Sequence, residues 1–219
     1  MPDSQLTLKQ GKFYHIYNRG INSCNLFCES DNYAYFLRLY DKHISPVADT
    51  YAWVLMPNHF HFLIRLKDNA EVSDNLNLTG FENLSGLNKP PHQYFSNLFN
   101  AYTKAFNKRF SRHGSLFERP FKRKPVDEEE YFKQLILYIH NNPVHLGFSI
   151  HPVEYPWSSY LTCISSKDSK LKRNKVIGWF ENKDNFVAQH RQPFNIRQLE
   201  RWLGSDKYSS FENDSFGIV

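Results

Sequence analysis

Thr50-Tyr51-Ala52-Trp53-Val54-Leu55-Met56-Pro57-Asn58-His59-Phe60-His61-Phe62-Leu63-Ile64-Arg65-Leu66-Lys67 is the stretch that decides the fold. Two strongly apolar runs, residues 50–56 and 59–67, flank a Pro-Asn break, which is the pattern of two consecutive strands. The second run is apolar on both faces around Phe60, Phe62, Leu63 and Ile64, so it is expected at the centre of a sheet. Side chains at i and i+2 of a strand share a face, so His59 and His61 point one way and Phe60 the other. Two imidazoles side by side can hold a divalent cation with a third ligand from elsewhere. The same pair also reads as hydrogen-bonded core histidines. A zinc hydrolase of the HxHxDH type is disfavoured, because Phe62-Leu63-Ile64 stands where an Asp and a third His would follow.

Working outward, residues 12–18 read as a strand, with Phe13, His15 and Tyr17 alternating with Tyr14 and Ile16 before Asn18-Arg19-Gly20. From Ser30 or Asp31 to about His43 the spacing of Tyr33, Phe36, Leu37 and Tyr40 is helical, with Asp31 as a suitable cap. Residues 68–91, rich in Asn, Asp and Gly, read as an irregular insertion. A helix is expected over 92–110, stopped by Gly114, followed by an extended segment 115–125. The next helix has Asp127 as cap, Glu130 completing an approximate capping box, and Pro143 as terminator. Residues 165–175 read as a polar linker and 176–188 as a last amphipathic piece. The order predicts an α+β fold of ferredoxin-like or RRM-like type: an antiparallel sheet, helices on one face, the histidine pair on a central strand. The expected division is 1–160 and 161–219.

Composition narrows the classes. The 219 residues carry a net charge of +5, and 16% are aromatic, enough to build a core. No apolar run is long enough for a membrane span, and the polar start is not expected to act as a secretory signal. Cys24, Cys28 and Cys163 are odd in number and form no CxxC, so a reducing cytoplasm is the expected location. Charge is concentrated: Lys104, Lys108, Arg109, Arg112, Arg119, Lys122, Arg123 and Lys124 face only Glu118 between residues 101 and 124. Such a block suits a polyanion, and also reads as a solvated helix and loop.

Tyr138 and Asn142 stand four residues apart, hence on one helical face, in line with Tyr131 and Leu135. A tyrosine hydroxyl is a poor nucleophile at a pKa of about 10, and a nearby cation favours the phenolate. An Asn amide oxygen is a hard ligand suited to Mg²⁺ or Mn²⁺. Read alone, the pair is first a core tyrosine followed by a capping Asn, and only then a reactive pair.

Met56-Pro57-Asn58-His59-Phe60-His61-Phe62-Leu63-Ile64 resembles the HUH signature of single-tyrosine transposases. The run from Tyr138 through His140, Asn141, Asn142, Pro143 and His145 to Gly147 resembles the end of their catalytic helix. Ser115-Leu116-Phe117-Glu118-Arg119-Pro120-Phe121-Lys122 is similar to the family's basic strand. Tyr14-His15-Ile16-Tyr17-Asn18-Arg19-Gly20 and Tyr155-Pro156-Trp157-Ser158-Ser159-Tyr160 are similar to segments of the REP-associated tyrosine transposase branch. These motifs cover roughly residues 12 to 160, in order.

The resemblance implies a bacterial single-stranded DNA endonuclease and strand transferase acting at hairpin DNA. It implies Tyr138 as nucleophile forming a 5′-phosphotyrosine, and His59, His61 and Asn142 as ligands of Mg²⁺ or Mn²⁺. The eight basic residues named above would hold DNA. Dimers that exchange the catalytic helix and monomers are both compatible with it, as is a domesticated hairpin-binding protein without cleavage. One departure is Asn142, where the shortest family members carry Gln.

Overall fold

The computed structural model describes residues 6–72 and 89–192; most of the expected insertion, and everything after 192, lies outside them. β1 (Phe13–Arg19), β2 (Ala48–Met56), β3 (His59–Leu66) and β4 (Lys122–Pro125) form one sheet in the order β2-β3-β1-β4, antiparallel throughout. With α1 (Ser30–His43) after β1 and α2 (Pro91–Arg109) after β3, the order is β-α-β-β-α-β, the ferredoxin-like arrangement. β3 lies between β2 and β1, and only Arg65 among its residues escapes full burial.

Both faces of β3 are buried because both are covered. On one, Phe60, Phe62 and Ile64 pack with Phe36 and Tyr40 of α1 and with Phe95, Phe99 and Tyr102 of α2. Tyr40 stacks on Phe62 at 4.3 Å, and the buried Tyr102 hydroxyl donates to Leu26 O. This is the single helical face expected from the sequence. The other face presents Ala52, Val54, Met56 and Leu63, an apolar stripe that needs its own cover. α3 (Glu129–His145) supplies it through Leu135, Ile136 and Ile139.

The helix ends differ from expectation in three places. α1 is capped from Glu29 rather than Asp31, with Asn32 Oδ1 accepting the Cys28 and Glu29 N–H groups. The cap of α3 is Glu128, and neither Asp127 nor Glu130 makes a side-chain cap. Pro143 does not end α3, which continues to His145. Proline removes one i→i−4 bond, to Ile139 O, but the stop is set by Gly147 at φ 74. There Gly147 N–H bonds Val144 O and Phe148 N–H bonds Pro143 O, a Schellman closure for which glycine needs no side-chain strain.

The expected last amphipathic piece is two helices, α5 (Arg173–Trp179) and α6 (Lys183–His190), preceded by the short α4 (Tyr160–Ile164). α5 and α6 are separated by Glu181 at φ 69, and α6 is capped by Asn182, whose Oδ1 accepts Asn185 N–H. The chain after Tyr155, through the polar segment read as a linker, is tied to the outer edge of β2. Leu55 N–H bonds Trp157 O, Ser159 N–H bonds Trp53 O and Lys172 N–H bonds Thr50 O, so an edge strand is covered rather than left open. Trp179 stacks on Phe132 at 4.7 Å.

Gly20 shows how tightly the end of β1 turns. A Cβ there would lie 2.0 Å from Cys24 O, a backbone atom that cannot swing away. Gly20→Ala is expected to destabilise by about 1–3 kcal/mol through overpacking, read as a lower urea midpoint. An unchanged midpoint would mean the turn rearranges freely.

Candidate metal and nucleophile site

Register fixes what shares a face with the histidine pair. His61 stands opposite Tyr17 and Val54, His59 opposite Arg19 and Met56, and His15 opposite Leu63. On the far side of β1, Lys122 is opposite Tyr17 and Lys124 opposite His15. Cross-strand partners project from the same face, so His15, Tyr17, Arg19, Lys122 and Lys124 line the surface that carries His59 and His61. α3 crosses that surface and brings Tyr138 and Asn142 from successive turns. Tyr138 Oη lies 3.5 Å from His61 Nε2, and Asn142 Oδ1 lies 3.0 Å from His59 Nε2. Tyr138, His59, His61 and Asn142, widely spaced in sequence, thus meet within one chain.

Each ring is held by its other nitrogen. His59 Nδ1 is 2.6 Å from Asn58 Oδ1, and His61 Nδ1 is 3.0 Å from His15 Nε2. Such partners fix ring orientation and leave Nε2 facing the site. Burial lowers the His59 pKa to about 4, with Asn142 raising it and Arg19 lowering it further. His61 is held well below the usual imidazole value by burial, then by His15 and His59. Both rings are therefore neutral at pH 7, as ligation requires.

The donor set fits a divalent cation. A neutral imidazole carries one N–H, yet His59 lies between two amide oxygens. If it donates to Asn58, its Nε2 lone pair faces the Asn142 oxygen, an opposition of two acceptors. A separation of 3.0 Å is that of neighbouring ligands on one octahedral ion with bonds of about 2.1 Å. Among the described residues no group of three His, Cys, Asp or Glu offers a metal site, and a cation held by His59 and His61 would have the Asn142 amide as its neighbouring donor.

The basic residues divide across the sheet. Lys122 and Lys124 share the histidine face, whereas Arg123 turns to the other, its guanidinium 4.9 Å over the Phe121 ring. Lys104, Lys108 and Arg109 are exposed on α2, with Arg109 paired to Glu29. Arg112 bonds Asn107, and Arg119 is exposed.

Sequence reasoning missed a second buried polar chain. Trp53 N–H donates to Ser159 Oγ, Ser159 O–H to His140 Nε2, His140 Nδ1–H to His190 Nε2, and His190 Nδ1–H to Phe186 O. With both rings neutral, the Phe186 carbonyl fixes the two tautomers, while Ser159 Oγ also lies 3.3 Å from Trp53 O as a second acceptor for its proton. Burial and the facing histidine hold His140 well below the usual value, and burial brings His190 to about 4. The chain ties the catalytic-helix candidate α3 to α6 and the β2 edge. No local pattern announces it, because the partners are 19 and 50 residues from His140. His15 had a signal: the alternation that pairs His59 with His61 also pairs His15 with Tyr17.

Among the described residues no helix is long and apolar enough to cross a membrane. No family model matches the sequence, and no curated protein matches it. Among solved structures, a bacterial tRNA(His) guanylyltransferase-like protein in complex with ATP covers 90% of this chain and 92% of its own. Its identity is 7% and its TM-score 0.40, too weak a likeness to support any argument. A REP-associated tyrosine transposase bound to a REP hairpin matches at 14% identity and a TM-score of 0.54, covering 76% of this chain and 87% of its own. The chain shares its fold with that REP-associated tyrosine transposase.

Proposed function

We propose that this chain is a metal-dependent single-stranded DNA nuclease and strand transferase of the HUH single-tyrosine kind, acting at hairpin DNA. The observation that carries the reading is the approach of Tyr138 Oη to 3.5 Å from His61 Nε2, beside the His59–Asn142 contact. His59, His61 and Asn142 would hold Mg²⁺ or Mn²⁺. When bound, such an ion polarises the scissile phosphate and neutralises charge on it. Tyr138 Oη attacks phosphorus in line and loses its proton. The bond to the 3′-oxygen breaks, and that oxygen leaves as a 3′-OH after taking up a proton. The 5′-phosphate stays on Tyr138. A second 3′-OH then attacks the same phosphorus and expels the tyrosine, rejoining strands without ATP because the phosphodiester energy is retained. Positioning does most of the work in such transfers. Lys122 and Lys124, on the same face, suit the flanking phosphates, and the fold neighbour was solved with a REP hairpin.

A hairpin oligonucleotide with a single-stranded flank and a 3′-end label tests this. With Mn²⁺, the label is expected to migrate with the protein in SDS. Excess EDTA should abolish the adduct and added Mn²⁺ restore it. Hairpin binding without any adduct would instead place the chain among binding proteins.

A further inference from the structure

His15 is fully buried in the middle of β1, where an apolar residue would pack without penalty. Its Nε2 lies 3.0 Å from His61 Nδ1, and its ring stacks on Tyr17 at 4.7 Å and on His61 at 5.1 Å. Its other nitrogen, Nδ1, is buried with no hydrogen-bond partner among the described residues. An orphaned polar atom of this kind is unfavourable. A histidine with one nitrogen satisfied only by another histidine has a poor structural reason for being there.

We propose that His15 is a positioning residue that decides which nitrogen of His61 carries the proton, and so whether His61 Nε2 can take a metal. The inference rests on the metal reading above. One hydrogen joins His15 Nε2 and His61 Nδ1, and it can belong to either ring. If His15 donates it, His61 keeps its own proton on Nε2, aimed at Tyr138, and has no lone pair for a cation. If His61 donates it, Nε2 is bare and ready, and the His15 proton sits on the unpartnered Nδ1. An unpartnered N–H is less tolerable than an unpartnered lone pair, so the first arrangement suits the metal-free site and the second the metal-bound one. Metal binding and the direction of one buried hydrogen bond are thereby coupled.

The test compares wild type, His15→Phe, His15→Gln and His61→Ala, all without DNA. Free Mn²⁺ is counted by electron paramagnetic resonance, and folding is followed by thermal denaturation. His15→Phe fills the space but cannot accept a proton, and is expected to weaken Mn²⁺ binding about 10–100-fold in a folded protein. His15→Gln keeps an acceptor and should remain within about threefold of wild type. Independently, long-range ¹H–¹⁵N spectra of the wild type should show the His61 proton on Nε2 without Mg²⁺ and on Nδ1 with it. The spectra decide even if His15→Phe fails to fold. Unaltered Mn²⁺ affinity in His15→Phe, or a His61 proton that stays on one nitrogen, overturns the role of His15 alone. Equal Mn²⁺ binding by wild type and His61→Ala overturns the metal reading itself.

Discussion

Tyr138→Phe is expected to remove the covalent DNA adduct, lowering its rate of formation by on the order of 10³-fold or more, while hairpin affinity stays within about twofold. The separation of the two effects follows from what the substitution deletes. Phenylalanine keeps the ring, whose contact with the His61 ring at 5.2 Å and 76° is a packing interaction. It loses only Oη, and at 3.5 Å from His61 Nε2 that oxygen makes a long, weak hydrogen bond. A structural tyrosine would therefore lose about 1 kcal/mol of stability and nothing else. A nucleophile loses the reaction. Tyr17 is the necessary control, because it lies on the same face with its ring 5.9 Å from that of His61. Tyr17→Phe should still form the adduct. If Tyr138→Phe forms it and Tyr17→Phe does not, Tyr17 is the nucleophile.

The hairpin of residues 48–66 was legible because its cues are local: two apolar runs, a Pro-Asn break and a period of two. The same period put His59 and His61 on one face. It also put His15 and Tyr17 on one face, but not on which side of the sheet. That is settled by the pairing of Tyr17 with His61, a register between strands more than forty residues apart. The basic block misled in a related way. Closeness in sequence made residues 101–124 look like one surface, yet strand alternation sends Lys122 and Lys124 to the histidine face and Arg123 to the other. Pro143 misled because a proline near a helix end can be absorbed by one lost hydrogen bond, and the positive φ of Gly147 is the stronger stop. Residues 165–175 looked like linker because their tie to β2, Lys172 N–H to Thr50 O, is between backbone groups, and a polar sequence carries no record of which backbone it bonds.

Acid should unfold this protein well before its carboxylates are neutralised, because five buried histidines are neutral in the folded state. Burial holds His15 at about 3 and His59 and His190 at about 4, with His61 and His140 well below the ordinary value. In the unfolded chain each titrates near 6.5. Folded pKa values below unfolded ones mean that the unfolded state binds more protons throughout the interval. Stability is thus fully present above pH 6.5 and is lost as pH falls from there toward 4. Each group contributes up to about 1.4 kcal/mol per pH unit in that window, so five give on the order of 7 kcal/mol per unit. Against a total stability of roughly 5–15 kcal/mol, a midpoint near pH 5 is expected. The logarithm of the unfolding constant, measured by urea titration between pH 5 and 6, should change by about five per pH unit. A slope near one would show that these histidines already carry protons when folded. Mn²⁺ should move the midpoint to lower pH, since it competes with protons for His59 and His61 and stabilises the state that binds it. In His59→Ala that movement should vanish while the steep slope falls by only one proton, which separates metal binding from the burial of the remaining rings.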